Sequence, residues 1–185
     1  MPVYCFVKMA VSAKVLPVQL FNAVLFKDEN IIREAESMLT EKFGMIKWKS
    51  RAMPFDITDY YQDEMGTNLQ KIFFAFDDLI MPDRLADLKL QSNEIEKIWA
   101  KKNKRLVNID PGYIDHKKVV LASMKYHGNK IYLGSGVSAD LNLIYEKGDF
   151  KSFDWTFPDF KDGRYKNILL KIREIYKNKL KSRSP

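Results

Sequence analysis

Two short segments of the 185-residue chain hold most of the side chains that could do chemistry. One is Pro54-Phe55-Asp56-Ile57-Thr58-Asp59-Tyr60-Tyr61-Gln62-Asp63-Glu64-Met65-Gly66. The other is Val107-Asn108-Ile109-Asp110-Pro111-Gly112-Tyr113. Each sets carboxylates, aromatics and a glycine between apolar runs, and connections of that kind carry sites more often than cores. One or two carboxylates completed by substrate phosphates are the usual way to hold Mg²⁺, which makes Asp59, Glu64 and Asp110 the metal-ligand candidates. Carboxylates brought together can instead split their pKa values and do acid–base work. On that chemistry Asp56, Asp59, Glu64 and Asp110 are the catalytic candidates. The plainer account leaves them structural: Asp56 and Thr58 cap a turn, Glu64 faces water, and Asp110 braces its own Pro-Gly turn.

The cations and aromatics that would serve such a site are also visible. Lys89, Asn93 and Glu96 stand at i, i+4 and i+7, a polar stripe along a helix. Lys118, Ala122 and Lys125 repeat that spacing if their segment is helical. A lysine holds phosphate as a point charge. Tyr60, Tyr61 and Tyr113 complete the ligand-binding candidates, the first two as a platform on which a base could stack. The alternative is that the lysines are surface residues whose stems cover the core, and that the aromatics are loop core.

Absences narrow the class further. There is no Gly-x-x-x-x-Gly-Lys-Ser/Thr and no Gly-x-Gly-x-x-Gly after a strand. His116 and His127 are the only histidines, too far apart for a two-histidine site. Ser123 lacks a Gly-x-Ser-x-Gly context. The single cysteine, Cys5, permits no intrachain disulfide and no Cys-rich zinc site, and fits a reducing cytoplasm. No apolar run reaches the ~20 residues of a membrane span. Composition is that of a globular domain, 46% hydrophobic and 30% charged. The formal charge of +7 gathers at Lys101, Lys102, Lys104 and Arg105, and along Lys166, Lys171, Arg173, Lys177, Lys179, Lys181 and Arg183. That raises the prospect of an anionic partner.

These side chains need elements to position them. Residues 1–15 read as a leader outside the fold, and 16–185 as one α+β domain. Val18 to Phe26 is a short, almost wholly apolar run that reads as a buried strand. Asp28 offers an N-cap, Ile31, Ala35, Met38, Leu39 and Phe43 follow at helical spacing, and Gly44 is a stop. Met45 to Arg51 alternates as a half-buried strand. Leu69 to Phe76 is a second buried strand, and Pro82 opens a helix whose face is Leu85, Leu88, Ser92, Ile95 and Trp99. Leu106 to Ile109 reads as a short strand ended by an Asp110-Pro111-Gly112 turn. From 114 to 125 we expect a helix, because Lys117 to Met124 contains no turn residue, although Val119-Val120-Leu121 favours a strand by type. A hairpin follows, with Ile131, Leu133, Val137, Ala139, Leu141 and Leu143 alternating around Gly134-Ser135-Gly136. Trp155 to Phe160 is an aromatic loop. A last amphipathic helix runs from about Arg164 to Leu180, its stripe made by Tyr165, Ile168, Leu169, Ile172, Ile175, Tyr176 and Leu180. The expected sheet is mixed, with a ferredoxin-like β-α-β-β-α-β core extended by the hairpin and the final helix.

Taken together, Pro54-Phe55-Asp56, Thr58-Asp59-Tyr60-Tyr61, Glu64-Met65-Gly66, Lys89 with Asn93 and Glu96, Asn108-Ile109-Asp110-Pro111-Gly112-Tyr113, Leu121-Ala122-Ser123 with Lys125, Ile131-Tyr132-Leu133-Gly134 and Trp155-Thr156-Phe157-Pro158-Asp159 resemble a prokaryotic family, domain of unknown function four-four-one-six. The resemblance runs from about Pro17 to Leu180. It implies no activity. Such proteins are sometimes labelled GTP-binding, which here has no P-loop behind it. The expectation is a cleft lined by the two dense segments and these lysines, with Asp59 or Glu64 in the same concavity as Asp110. It would bind a nucleotide or phosphorylated small molecule, with Mg²⁺ if it is an enzyme. A non-catalytic RNA or ribonucleoprotein module working through the basic C-terminal helix is the alternative from another class. A structural interaction domain is the third.

Overall fold

A computed structural model describes residues 11–100 and 104–183. The leader expected over 1–15 therefore lies mostly outside the described residues, as do Lys101 and Lys102 of the basic cluster. The chain enters β1 (Val18–Phe26), every residue of which is buried. Asp28 then caps α1 (Glu29–Phe43), its Oδ1 accepting from the Asn30 N–H at 2.8 Å. Next come β2 (Ile46–Lys49), a two-residue β3 (Met53–Pro54), a one-turn α2 (Gln62–Met65) and β4 (Gln70–Ile80). Pro82 begins a 3-10 turn that leads into α3 (Leu85–Ile98), as its fixed φ and missing N–H favour. The second half is β5 (Val107–Ile114), β6 (Lys118–Ser123), β7 (Ile131–Gly134), β8 (Val137–Glu146), β9 (Asp149–Ser152), a short α4 (Pro158–Lys161) and α5 (Lys166–Arg183).

The strands form one sheet in the order β2-β4-β1-β5-β6-β8-β7, with β3 also on β4 and β9 also on β8. The β2-β4-β1-β5 part, with α1 and α3 as its crossovers, has the strand order of a ferredoxin-like core. The α+β class is as expected. The sheet is antiparallel at every described pairing, however, and not mixed.

Alternation along the strands divides the interior in two. Leu20, Val24, Phe74, Phe76 and Ile109 point to α1 and α3, where Ile32, Leu39, Phe43, Leu88 and Ile95 meet them. Phe21, Ala23, Phe73 and Ala75 point the other way, under Phe160 of α4 and Tyr165, Leu169 and Ile172 of α5. Burying each such large side chain stabilises the fold by roughly 1.5–3 kcal/mol.

Two sequence expectations are corrected. The helix expected over 114–125 is strand β6. Val119 and Leu121 pack toward α5 while Val120 and Ala122 pack toward α3. A strand buried on both faces is apolar at consecutive positions, so it shows no period that separates it from a buried helix. The turn expected at Asp110-Pro111-Gly112 is the middle of β5. Proline is tolerated there because β5 pairs with β6 only from Gly112 onward: Gly112 with Leu121, Tyr113 with Val120 and Ile114 with Val119. Glycine at 112 answers a lack of space. A Cβ would sit 2.7 Å from Leu121 Cδ2, Phe21 Cζ and the Val120 carbonyl oxygen. The hairpin is as expected, with Ser135 at φ 52° and Gly136 at φ 75° making the left-handed pair that a two-residue turn requires.

Candidate functional site

Because β5 leaves β6 before Pro111, the two strands splay into a fork, and a cavity of about 400 Å³ opens there. Asn108 and Asp110 pair with Leu25 and Ala23 across β1, so their side chains share the face under α4 and α5. Lys89 starts from α3, on the opposite face. It reaches Asp110 through the gap that the fork leaves. Its ammonium donates to the Ile109 carbonyl at 2.7 Å and to Asp110 Oδ1 at 3.1 Å, and lies 3.7 Å from Glu96 Oε1.

A polar chain extends from this point. Glu96 Oε1 accepts from the Ile109 N–H at 2.7 Å. Arg105 donates to Glu96 Oε2 at 3.0 Å and to Asn108 Oδ1 at 2.7 Å, and forks onto both oxygens of Glu64, the Nη2–Oε2 arm at 2.9 Å. Asn108 Nδ2 donates to Asp110 Oδ2 at 2.6 Å. The two dense segments thus meet, with Glu64 joined to Asp110 through Arg105 and Asn108.

The walls come from three further stretches. Phe55, Thr58, Tyr60 and Tyr61 form one side, Phe157 to Phe160 another, and Ser123, Lys125 and Lys130 a third. Lys71 is buried in an ion pair with Asp159, under the rings of Phe55, Phe160 and Tyr165. Lys130 lies 3.3 Å from Asp140 and donates to Ser123 Oγ at 2.8 Å. Lys125 lies 3.9 Å over the Tyr60 ring and has no carboxylate partner among the described residues.

The electrostatics follow from these contacts. Burial pushes Asp110 up, but the Lys89 and Lys71 charges and the hydrogen bonds from Lys89 and Asn108 outweigh it and hold the carboxyl below its ordinary value. Asp110 is therefore ionised and accepts hydrogen bonds only. Burial raises Glu96 above its ordinary value despite Lys89. The hydrogen bond from Arg105 lowers Glu64. Burial, then the charge of Asp110, raises Tyr61, which stays a protonated donor. Burial, then the neighbouring Lys130, lowers Lys125.

Glu96 gives a pH prediction. Its folded pKa lies above the reference 4.5, so the folded protein takes up the proton first. Relative to Glu96→Gln, which does not titrate, wild type is expected to gain stability as pH falls from neutral toward 4.5. Paired melting curves across that range check the sign, and a wild-type loss in that window refutes it.

The candidates named from sequence distribute as follows. Asp110, Tyr60, Tyr61, Lys89, Asn93 and Lys125 line the cavity. Contrary to expectation, neither Asp59 nor Glu64 shares that lining with Asp110, because the Glu64 carboxylate is held by Arg105 behind it. Asp59 is exposed and accepts from Gln62. Asp56 is 71% exposed and pairs with Arg164, whose hydrogen bond lowers its pKa. Tyr113 packs with Val120 and Leu85 toward α3. Lys118 pairs with Asp115 at the far end of β6 from Lys125, because a strand separates residues that a helix would have stacked. Among the described residues no three His, Cys, Asp or Glu side chains are grouped to hold a metal ion, so Asp59, Glu64 and Asp110 form no such cluster.

Sequence reasoning missed Lys71, Asp159 and the Lys130–Asp140 pair, and took Arg105 for part of a surface cluster. The α5 cations expected to serve nucleic acid are largely engaged. Lys166 pairs with Asp149, Lys171 with Glu174 and Lys179 with Asp77, while Arg173 donates to the His116 carbonyl and covers the Tyr145 ring. No helix among the described residues is long and apolar enough to cross a membrane.

No curated protein and no solved structure matches the chain. The model of one family, Domain of unknown function (DUF4416), matches residues 16–176, and with most of its length covered the chain belongs to that family.

Proposed function

We propose that the protein binds a phosphorylated small molecule, a nucleotide foremost, in the cavity at the β5–β6 fork. The observation that carries this is Lys125. It is a cation at the cavity with no carboxylate partner among the described residues, set over an aromatic ring that shares the same opening. Lys71, Lys89, Arg105 and Lys130 are all neutralised by carboxylates, which leaves Lys125 to meet an incoming anion. Tyr60 and Phe157 offer flat apolar surface for a base or another ring, worth about 1–3 kcal/mol per stacked base.

A panel of nucleoside mono- and triphosphates and sugar phosphates, each with and without Mg²⁺, tests this by thermal shift. A ligand at a hundred times its Kd is expected to stabilise wild type by about 2.7 kcal/mol. Lys125→Gln should lose that shift, while its ligand-free stability stays within about 0.5 kcal/mol of wild type. A full shift retained in Lys125→Gln, or no shift from any compound on wild type, overturns the proposal.

A further inference from the structure

The cavity is electrically polarised from one end to the other. At the end below the fork, its floor, two cations, Lys89 and Arg105, face three carboxylates, Glu64, Glu96 and Asp110. At the other end the balance reverses. Lys125 and the buried Lys130 face the buried Asp140 alone, beside the exposed rings of Tyr60 and Phe157.

The floor also has unused capacity, mostly of one kind. Lys89 gives two N–H groups to Ile109 and Asp110 and faces Glu96 with the third at 3.7 Å. Arg105 gives four of its five N–H groups to Glu64, Glu96 and Asn108. Asp110 accepts one hydrogen bond on each oxygen, whereas a carboxylate offers about four lone-pair sites. Its side chain keeps 30% exposure. The larger free capacity at the floor is therefore for a donor at Asp110, and the surplus carboxylate there favours a positive one.

We propose that the ligand is a phosphorylated amine, bound with its amino group on Asp110 and its phosphate at Lys125. This rests on the phosphate-binding proposal and adds the identity of the other end. The reverse orientation would press a phosphate against a floor with a surplus carboxylate and no free cation. It would also leave Lys125 facing an amine. An amine with no anionic group would leave Lys125 unanswered, and a phosphate with a plain hydrocarbon end would leave Asp110 desolvated with two empty lone-pair sites.

The test uses two compounds that share a ring and a phosphate, para-(aminomethyl)phenyl phosphate and para-methylphenyl phosphate, titrated calorimetrically into the full chain. The amine should bind about tenfold to a hundredfold tighter, the range of a charge-assisted hydrogen bond. In Asp110→Asn, checked for folding by circular dichroism, that preference should fall to near unity while the methyl compound keeps its affinity. Equal affinity of the pair for wild type overturns the amine assignment and leaves the phosphate proposal standing. Binding of neither removes both. An amine preference that persists in folded Asp110→Asn puts its recognition elsewhere and also overturns the assignment. Equal affinity in the wild-type pair overturns the assignment even if Asp110→Asn does not fold.

Discussion

Lys89→Met is expected to destabilise the protein by about 3–5 kcal/mol, a large part of the ~5–15 kcal/mol that holds a domain folded. The size comes from what is left behind. Methionine fits the space of the lysine stem, so little packing is lost. But the ammonium is 4% exposed and faces Glu96, itself 5% exposed, and Asp110. Without it, Asp110 and the Ile109 carbonyl lose a donor, and Glu96 a neighbouring charge, that water cannot readily replace. Lys97→Met on the same helix is the control. Lys97 pairs with Glu94 at 2.6 Å, shorter than any Lys89 contact, yet both side chains are about two-thirds exposed. Solvent screens that pair, so its loss should cost under about 1 kcal/mol. Denaturant melts of the two variants settle it. Similar losses in both would mean that the Lys89 amine is solvated and that the fork floor is wet.

Asp159→Leu is expected to cost a similar ~3–5 kcal/mol, and Lys71→Met/Asp159→Leu to recover most of it. The Lys71 and Asp159 side chains are 10% and 5% exposed. Removing Asp159 strands an ammonium between Phe55, Phe160 and Tyr165, whose ring faces attract it but cannot replace a carboxylate. Removing both charges leaves an apolar pocket of similar volume among the same rings. The coupling energy of the double-mutant cycle measures the pair directly. Simple additivity would show that the two charges do not depend on each other. The pair also ties α4 to the sheet, so the aromatic wall of the cavity should loosen in the single variant and re-form in the double.

The framework was legible because its signals are local. Nine consecutive buried residues made β1 unmistakable, and a capped run with a helical period made α1. Two β-α-β units in sequence then implied the ferredoxin-like order. The fork was not legible, because its cause is a pairing that stops. Pro111-Gly112 announces a turn when read locally, and only the place where β6 begins to pair shows that β5 runs straight through it. The same holds for β6, where Asp115 held an unread clue. Its carboxylate accepts from the Lys117 and Lys118 N–H groups and turns the chain into the strand. Asp110 was selected by a dense polar segment and Lys89 by a helical spacing that α3 has, and both line the cavity; Lys125 lines it too, but was selected by a helical spacing that β6 does not have. Lys71 and Asp159 were not, since eighty-eight residues separate them and neither breaks its local pattern. Glu64 was noticed for the right reason, an acid in a turn-rich segment, and given the wrong neighbour. Its partner is the guanidinium of Arg105, which sequence placed among surface lysines.

Three residue pairs, Gly112–Leu121, Tyr113–Val120 and Ile114–Val119, are all that join the ferredoxin-like strands to the remainder of the sheet through β5 and β6. So short a ladder is a joint in the mechanical sense. Lys125 lies four residues beyond its last pair, a lever of roughly 13 Å if extended. Five degrees of added twist, small beside the ~20–25° between ordinary neighbouring strands, would move the Lys125 backbone by roughly 1 Å relative to Asp110. The span between the two ends of the cavity is therefore set by the angle at Gly112–Leu121, and the length of ligand it accepts is governed by strand geometry as much as by the side chains that line it.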